Sequence, residues 1–180
     1  NRRIGSNELH AIATVRAYVD AQHEYAARDP MGEQIRQYAQ RIGSSEGKRD
    51  GLYWPADEGE PESPLGPLLA RAVEEGYEFE VGQPAPYHGY YFRILKAQGA
   101  HAPGGAMSYL NEGHMTGGFG LVAHPAKYGK SGIMTLIVNQ RGLLFQKDLG
   151  EDTEGLSTAI KEYDPDPSWT PVTENSLAGD

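Results

Sequence analysis

The chain has 180 residues, 38% hydrophobic and 23% charged, and its 25 acidic against 16 basic side chains give a net charge of −9. That balance argues against duplex nucleic acid and anionic membranes as partners, because both call for a basic surface. No apolar run approaches the roughly 18 residues of a membrane span, so no direct membrane insertion is expected. The lack of cysteine excludes disulfides, thiol catalysis and cysteine-held metals.

The length suits one domain over residues 1–180, with a helical and loop part over 1–76 and a sheet part over 77–180. The first 29 residues read as a long helix, with Ser6 and Asn7 as caps and Glu8 near the positive end of its dipole. Leu9, Ile12, Val15, Val19 and Ala26, with Tyr18 and Tyr25, form its apolar stripe, and Asp29-Pro30 ends it. Ile35, Tyr38, Ala39 and Ile42 predict a second short helix over 34–42, closed by Gly43. Residues 44–67 read as loop, and a third helix follows from Pro67 or Leu68 to Glu75, with Gly76 beyond it.

The period then changes to that of strands. Four are predicted, at 90–96, 118–123, 133–138 and 143–147, with Asn139-Gln140-Arg141-Gly142 as a tight turn. A last short helix is expected near 153–163, before Asp164-Pro165-Asp166-Pro167 and a polar tail. Short links favour an antiparallel meander over crossovers. The fold class is therefore α+β, with the long N-terminal helix covering the apolar face of a four-stranded antiparallel sheet, accompanied by short helices and long loops. Phe119, Leu121 and Ala123 supply that face.

No catalytic template is complete. Gly129-Lys130-Ser131 resembles the end of a phosphate loop, but the position needing its first glycine holds His124. Six histidines show no metal-ligand spacing, so neither metal nor cofactor is expected, and the catalytic residues, if any, stay unassigned. Asp148 and Asp152, beside Gly150, are weak calcium candidates with oxygen ligands. Tyr53, Trp54, Tyr87, Tyr90, Tyr91 and Trp169 lie in or beside loops, where large stiff rings suit protein or glycan contacts or roof a core. His101 and His114 sit in a glycine-rich connection that can admit a ligand. The candidate contact residues are Tyr53, Trp54, Tyr87, His88, Tyr90, His101 and His114.

Several stretches carry a family resemblance: Lys48-Arg49-Asp50-Gly51-Leu52-Tyr53-Trp54-Pro55, Pro86-Tyr87-His88-Gly89-Tyr90-Tyr91-Phe92-Arg93, Gly117-Gly118-Phe119-Gly120-Leu121-Val122-Ala123, Val138-Asn139-Gln140-Arg141-Gly142 and Asp164-Pro165-Asp166-Pro167-Ser168-Trp169. Together they resemble the bacterial family called domain of unknown function 2950, over almost the whole chain. The resemblance implies an exported protein of the periplasm, cell surface or extracellular space. It also implies that a signal peptide and a further N-terminal region precede Asn1-Arg2-Arg3-Ile4 in a longer precursor. A weaker resemblance, in the stretch Asn7 to Tyr25 followed by the sheet strands, is to the helix-then-sheet order of type IV pilins. The expected function is a non-enzymatic structural or interaction module that can self-associate into oligomers or filaments, or contact other envelope proteins. The alternative is an envelope hydrolase or ligand-binding protein using His88, His101 and His114 with a carboxylate such as Asp50.

Overall fold

The computed structural model describes residues 2–80 and 83–173. Its first element is a 27-residue helix, α1, at Arg2–Arg28. The helix starts before Ser6 and Asn7, so neither caps it. Asn7 Nδ2 instead donates to the Ser131 carbonyl at 2.9 Å, and a Glu8 carboxylate oxygen accepts the backbone N–H groups of Ile133 and Met134 at 3.0 and 3.1 Å. The buried stripe is Ala11, Ile12, Val15, Tyr18, Ala21, Gln22, Tyr25 and Ala26. Leu9 is 52% exposed and lies outside it. The chain leaves the helix at Asp29, whose φ is +48° and whose carboxylate takes the N–H groups of Glu33 and Gln34.

The helix predicted over 34–42 does not form. Gln34 has φ +60°, and the segment runs without helix into a short strand, β1 (Arg41–Gly43), parallel to β2 (Gly51–Tyr53). Long-range partners take the backbone groups a helix would use: Gln22 holds both the N–H and C=O of Ala39, and Tyr38 N–H donates to the Met115 carbonyl. An apolar spacing of three and four also suits an extended strip that docks at intervals, so periodicity alone does not decide it. The expected loop over 44–67 thus contains a strand, and α2 follows at Gly66–Glu74.

The main sheet is antiparallel, with strand order β11-β10-β9-β8-β3. Its members are β3 (Tyr90–Leu95), β8 (Gly120–Pro125), β9 (Met134–Asn139), β10 (Phe145–Asp148) and β11 (Thr170–Pro171). Four were expected; the fifth, β11, pairs Phe145 with Pro171 and Gln146 with Thr170. The connection from β3 to β8 carries two small ribbons, β4 (Ala97–Gln98) with β5 (Met107–Ser108), and β6 (Leu110–Asn111) with β7 (His114–Met115). The closing helix, α3, is Thr153–Thr158.

Side chains alternate across a strand, so β8 and β9 supply two faces. Phe119, Leu121, Ala123, Leu136 and Val138 pack under α1, where Tyr18 meets Phe119 edge to face at 5.6 Å and donates its hydroxyl to the Gly120 carbonyl. Val122 and Ile137 face the other way, into a second cluster with Leu95, Ala102 and Tyr163. Both faces of the sheet are therefore covered, which is why β8 is buried at every position.

Candidate functional site

The loop aromatics mostly belong to the core. Trp54 is 4% exposed, with the guanidiniums of Arg28 and Arg49 at 5.3 and 5.4 Å from its ring, while Tyr87 and Tyr90 are buried. Tyr53 and Trp169 are half-buried against the two clusters, and Tyr91 sits beside His124 at 5.5 Å between ring centres.

The histidines and Asp50 bond at different places. His101 Nδ1 and its own backbone N–H both reach Asp164 Oδ1 at 2.9 Å. His114 Nδ1 lies 3.1 Å from Gln37 Oε1 and 3.6 Å from Glu33. Asp50 accepts the N–H and hydroxyl of Ser45. Burial acts to raise its carboxyl, but those two bonds and nearby Arg41 outweigh it and hold the group below the ordinary value. None of His88, His101, His114 and Asp50 bonds to another of them among the described residues. For the calcium candidates, Asp148 Oδ1 already accepts from the Tyr128 hydroxyl and the Gly150 N–H, and Asp152 stands at the N-cap of α3 without a side-chain cap bond. No group of three His, Cys, Asp or Glu is placed to hold a metal among the described residues.

His88 is different. Tyr87 and Tyr90 exchange both backbone hydrogen bonds around His88-Gly89, with φ of +47° and +77°. Two successive positive φ values in a two-residue hairpin define a type I′ turn, whose first position favours Asn, Asp or Gly. A non-glycine residue in the left-handed region is uncommon, and histidine is among those that adopt it, so the turn fixes the His88 side chain at the tip of the hairpin. Gly89 must be glycine, because a Cβ would lie 2.7 Å from Asn7 Nδ2 and 2.8 Å from Ser131 Cβ.

Three elements converge on the ring. Glu75, just after α2, reaches His88 Nε2 at 2.8 Å; Tyr77 Oη accepts the His88 backbone N–H at 3.1 Å; and His10 of α1 stacks on the imidazole, with centroids 3.9 Å apart and planes 10° from parallel. Tyr87 packs against Tyr77 at 4.9 Å, and Phe79 extends the ring cluster at 6.3 Å from Tyr77. Burial, then the Glu75 carboxylate, raise the Tyr87 phenol. His10, Glu75, Gly76, Tyr77 and His88 line an open cleft of about 520 Å³.

Hydrogen-bond partners fix the tautomers. A carboxylate only accepts, so His88 carries a proton on Nε2, and in the neutral form of the ring Nδ1 presents a lone pair. His10 Nδ1 lies 2.9 Å from the Ser6 carbonyl, so the proton is on Nδ1 and the lone pair on Nε2. With Glu75, the cleft is rich in acceptors and can take hydrogen bonds or protons from a ligand. The sequence reading named His88 among its contact candidates but missed His10 and Glu75. These lie 78 and 13 residues away in the chain, and no local pattern links them.

The molecule is thus a helix-on-antiparallel-sheet α+β protein with an acceptor-lined cleft where helix α1, the end of α2 and the hairpin before β3 meet. The chain belongs to the family described as protein of unknown function (DUF2950), whose model matches residues 1–172. No curated protein and no solved structure matches it.

Proposed function

We propose that this chain is a non-enzymatic interaction module of the bacterial cell envelope or extracellular space, which takes a hydrogen-bond-donating ligand in the His10–Glu75–Tyr77–His88 cleft. The observation that carries the reading is His88, held in a left-handed turn with one ring nitrogen on Glu75, the other without a partner among the described residues, and His10 stacked on its face. Placement in the envelope rests on the family resemblance. The test is saturation-transfer NMR with a mixture of sugars, amines, carboxylates and phosphates. Binding that disappears in His88→Asn and Glu75→Gln supports the reading, and no saturation of any compound overturns it.

Self-association is a second reading, favoured by the free edge of β3. Tyr90 turns its N–H and C=O toward Tyr87, so alternation points those of Phe92 and Ile94 the same way, and neither residue has a partner on that side among the described residues. Such an edge can template a second strand. Light scattering across a concentration series decides: a mass that rises with concentration supports self-association, and a constant 19.7 kDa rejects it.

A further inference from the structure

We infer that the ligand of this cleft carries a primary ammonium group, as in a free aliphatic polyamine or a lysine side chain. The inference rests on the ligand-binding reading above and names the chemistry of that site.

The cleft selects a donor. With both rings neutral, His88 Nδ1, His10 Nε2 and the Glu75 carboxylate all accept, because the other nitrogen of each ring donates to Glu75 or to the Ser6 carbonyl. Tyr77 Oη already accepts the His88 N–H, so its own proton is the one hydroxyl donor lining the cleft. Carboxylate and phosphate ligands are anions that bring mostly acceptors at neutral pH and would meet lone pairs and the Glu75 carboxylate. What remains is a neutral polyol or a charged amine.

Rings and charge decide between these. Tyr77 is half-buried, and the Phe79 ring stacked beside it at 6.3 Å is 38% exposed. A cation within about 6 Å of such a ring face is attracted by its quadrupole. The segment Glu74-Glu75-Gly76-Tyr77-Glu78-Phe79-Glu80 interleaves those rings with exposed glutamates, and the chain as a whole carries −9. Charges within a Debye length of about 10 Å add to the local potential, which attracts an ammonium and leaves a neutral sugar unaffected. An ammonium brings N–H donors and no acceptor, which suits a cleft lined by imidazole lone pairs and a carboxylate.

The experiment is isothermal titration calorimetry of the whole chain with spermidine, a lysine tripeptide, cellobiose and inorganic phosphate as separate probes. The informative variant is His88→Asn. It keeps the net charge, and asparagine is favoured at the first position of a type I′ turn, so the hairpin is retained; circular dichroism and thermal melting confirm the fold. Spermidine or the lysine peptide is expected to bind with saturation at one site. Affinity should fall about tenfold or more in His88→Asn and in Glu75→Gln, as expected for losing a hydrogen bond to a charged group. Tighter binding of the peptide identifies a protein lysine as the source, and tighter binding of spermidine identifies a free polyamine. Binding of amines that His88→Asn leaves unchanged is general attraction to an acidic surface, and it overturns the inference. Cellobiose or phosphate binding that the two variants remove, with no amine binding, also overturns the inference but leaves the ligand-binding reading standing. Binding of no probe, together with an empty NMR screen, removes both.

Discussion

Gln22 has no exposed surface, and its amide makes a strand-like pair with Ala39, Nε2 donating to the carbonyl at 2.8 Å and Oε1 accepting the N–H at 2.7 Å. Its Nε2 also lies 3.1 Å from Tyr18 Oη. Gln22→Leu keeps the volume but leaves two buried backbone groups without partners, so urea unfolding should show a loss on the order of 3 kcal/mol. His124 carries a different consequence. Its burial pushes the imidazole below the ordinary 6.5, with Arg93 acting the same way and the Pro125 carbonyl and Glu154 acting against it; the Tyr91 ring is its other neighbour. The unfolded chain therefore takes up this proton first as pH falls. Stability from the neutral ring is complete above 6.5 and declines as pH drops through that value toward the folded one. Unfolding free energy measured against pH should show this slope, and His124→Asn should flatten it; an unchanged slope would clear His124 of the effect. At this scale the sequence told little about roles. Trp54 and Tyr90 read equally well as contacts or core, because a tyrosine or tryptophan beside a proline has the same residue type in both settings and only packing distinguishes them.

The joint between α1 and β9 turns on Glu8, which accepts two backbone N–H groups at the entry to the strand from 125 and 126 residues away. The sequence placed Glu8 at a helix start, where its charge would answer the dipole, whereas the helix begins earlier and the carboxylate serves the sheet. Glu8→Ala should lower stability by about 2–3 kcal/mol in urea unfolding, since charge-assisted bonds are lost and two donors are stranded, and Glu8→Gln should lower it less by keeping an acceptor. α1, α2, α3 and four strands were legible because each has its own period or its own stop signal, such as Asp29-Pro30 or Gly76. β1, β2 and β11 were not, since strands of two or three residues have too few positions to show alternation. The segment over 34–42 misled for a further reason: Tyr38, Ala39 and Ile42 do pack on the core, but the backbone makes its hydrogen bonds with Gln22 and Met115.

Across the whole molecule, stability should be graded from the centre of the sheet outward. β8 is buried at every position and bonded on both sides, by β3 and by β9, so its amides open only with global unfolding. The β5 and β6 residues are exposed and pair with two-residue partners. Hydrogen exchange followed by mass spectrometry should therefore find 120–124 slowest and 110–113 among the fastest; equal rates would contradict this layering. The sequence alone determined the α+β class, the long helix, the antiparallel order of the main strands, the family and the acidic surface, because composition, period and turn residues are local or additive properties of a chain. It also held an unused signal: Leu136-Ile137-Val138 does not alternate, as a strand covered on both faces need not. Only the tertiary structure decided that the second sheet face is covered and that Glu8 and Gln22 bind the helix to distant backbone. It alone brought His10, Glu75, Tyr77 and His88 to one cleft, because each contact joins elements far apart in sequence, and such pairings come from packing rather than from any local pattern.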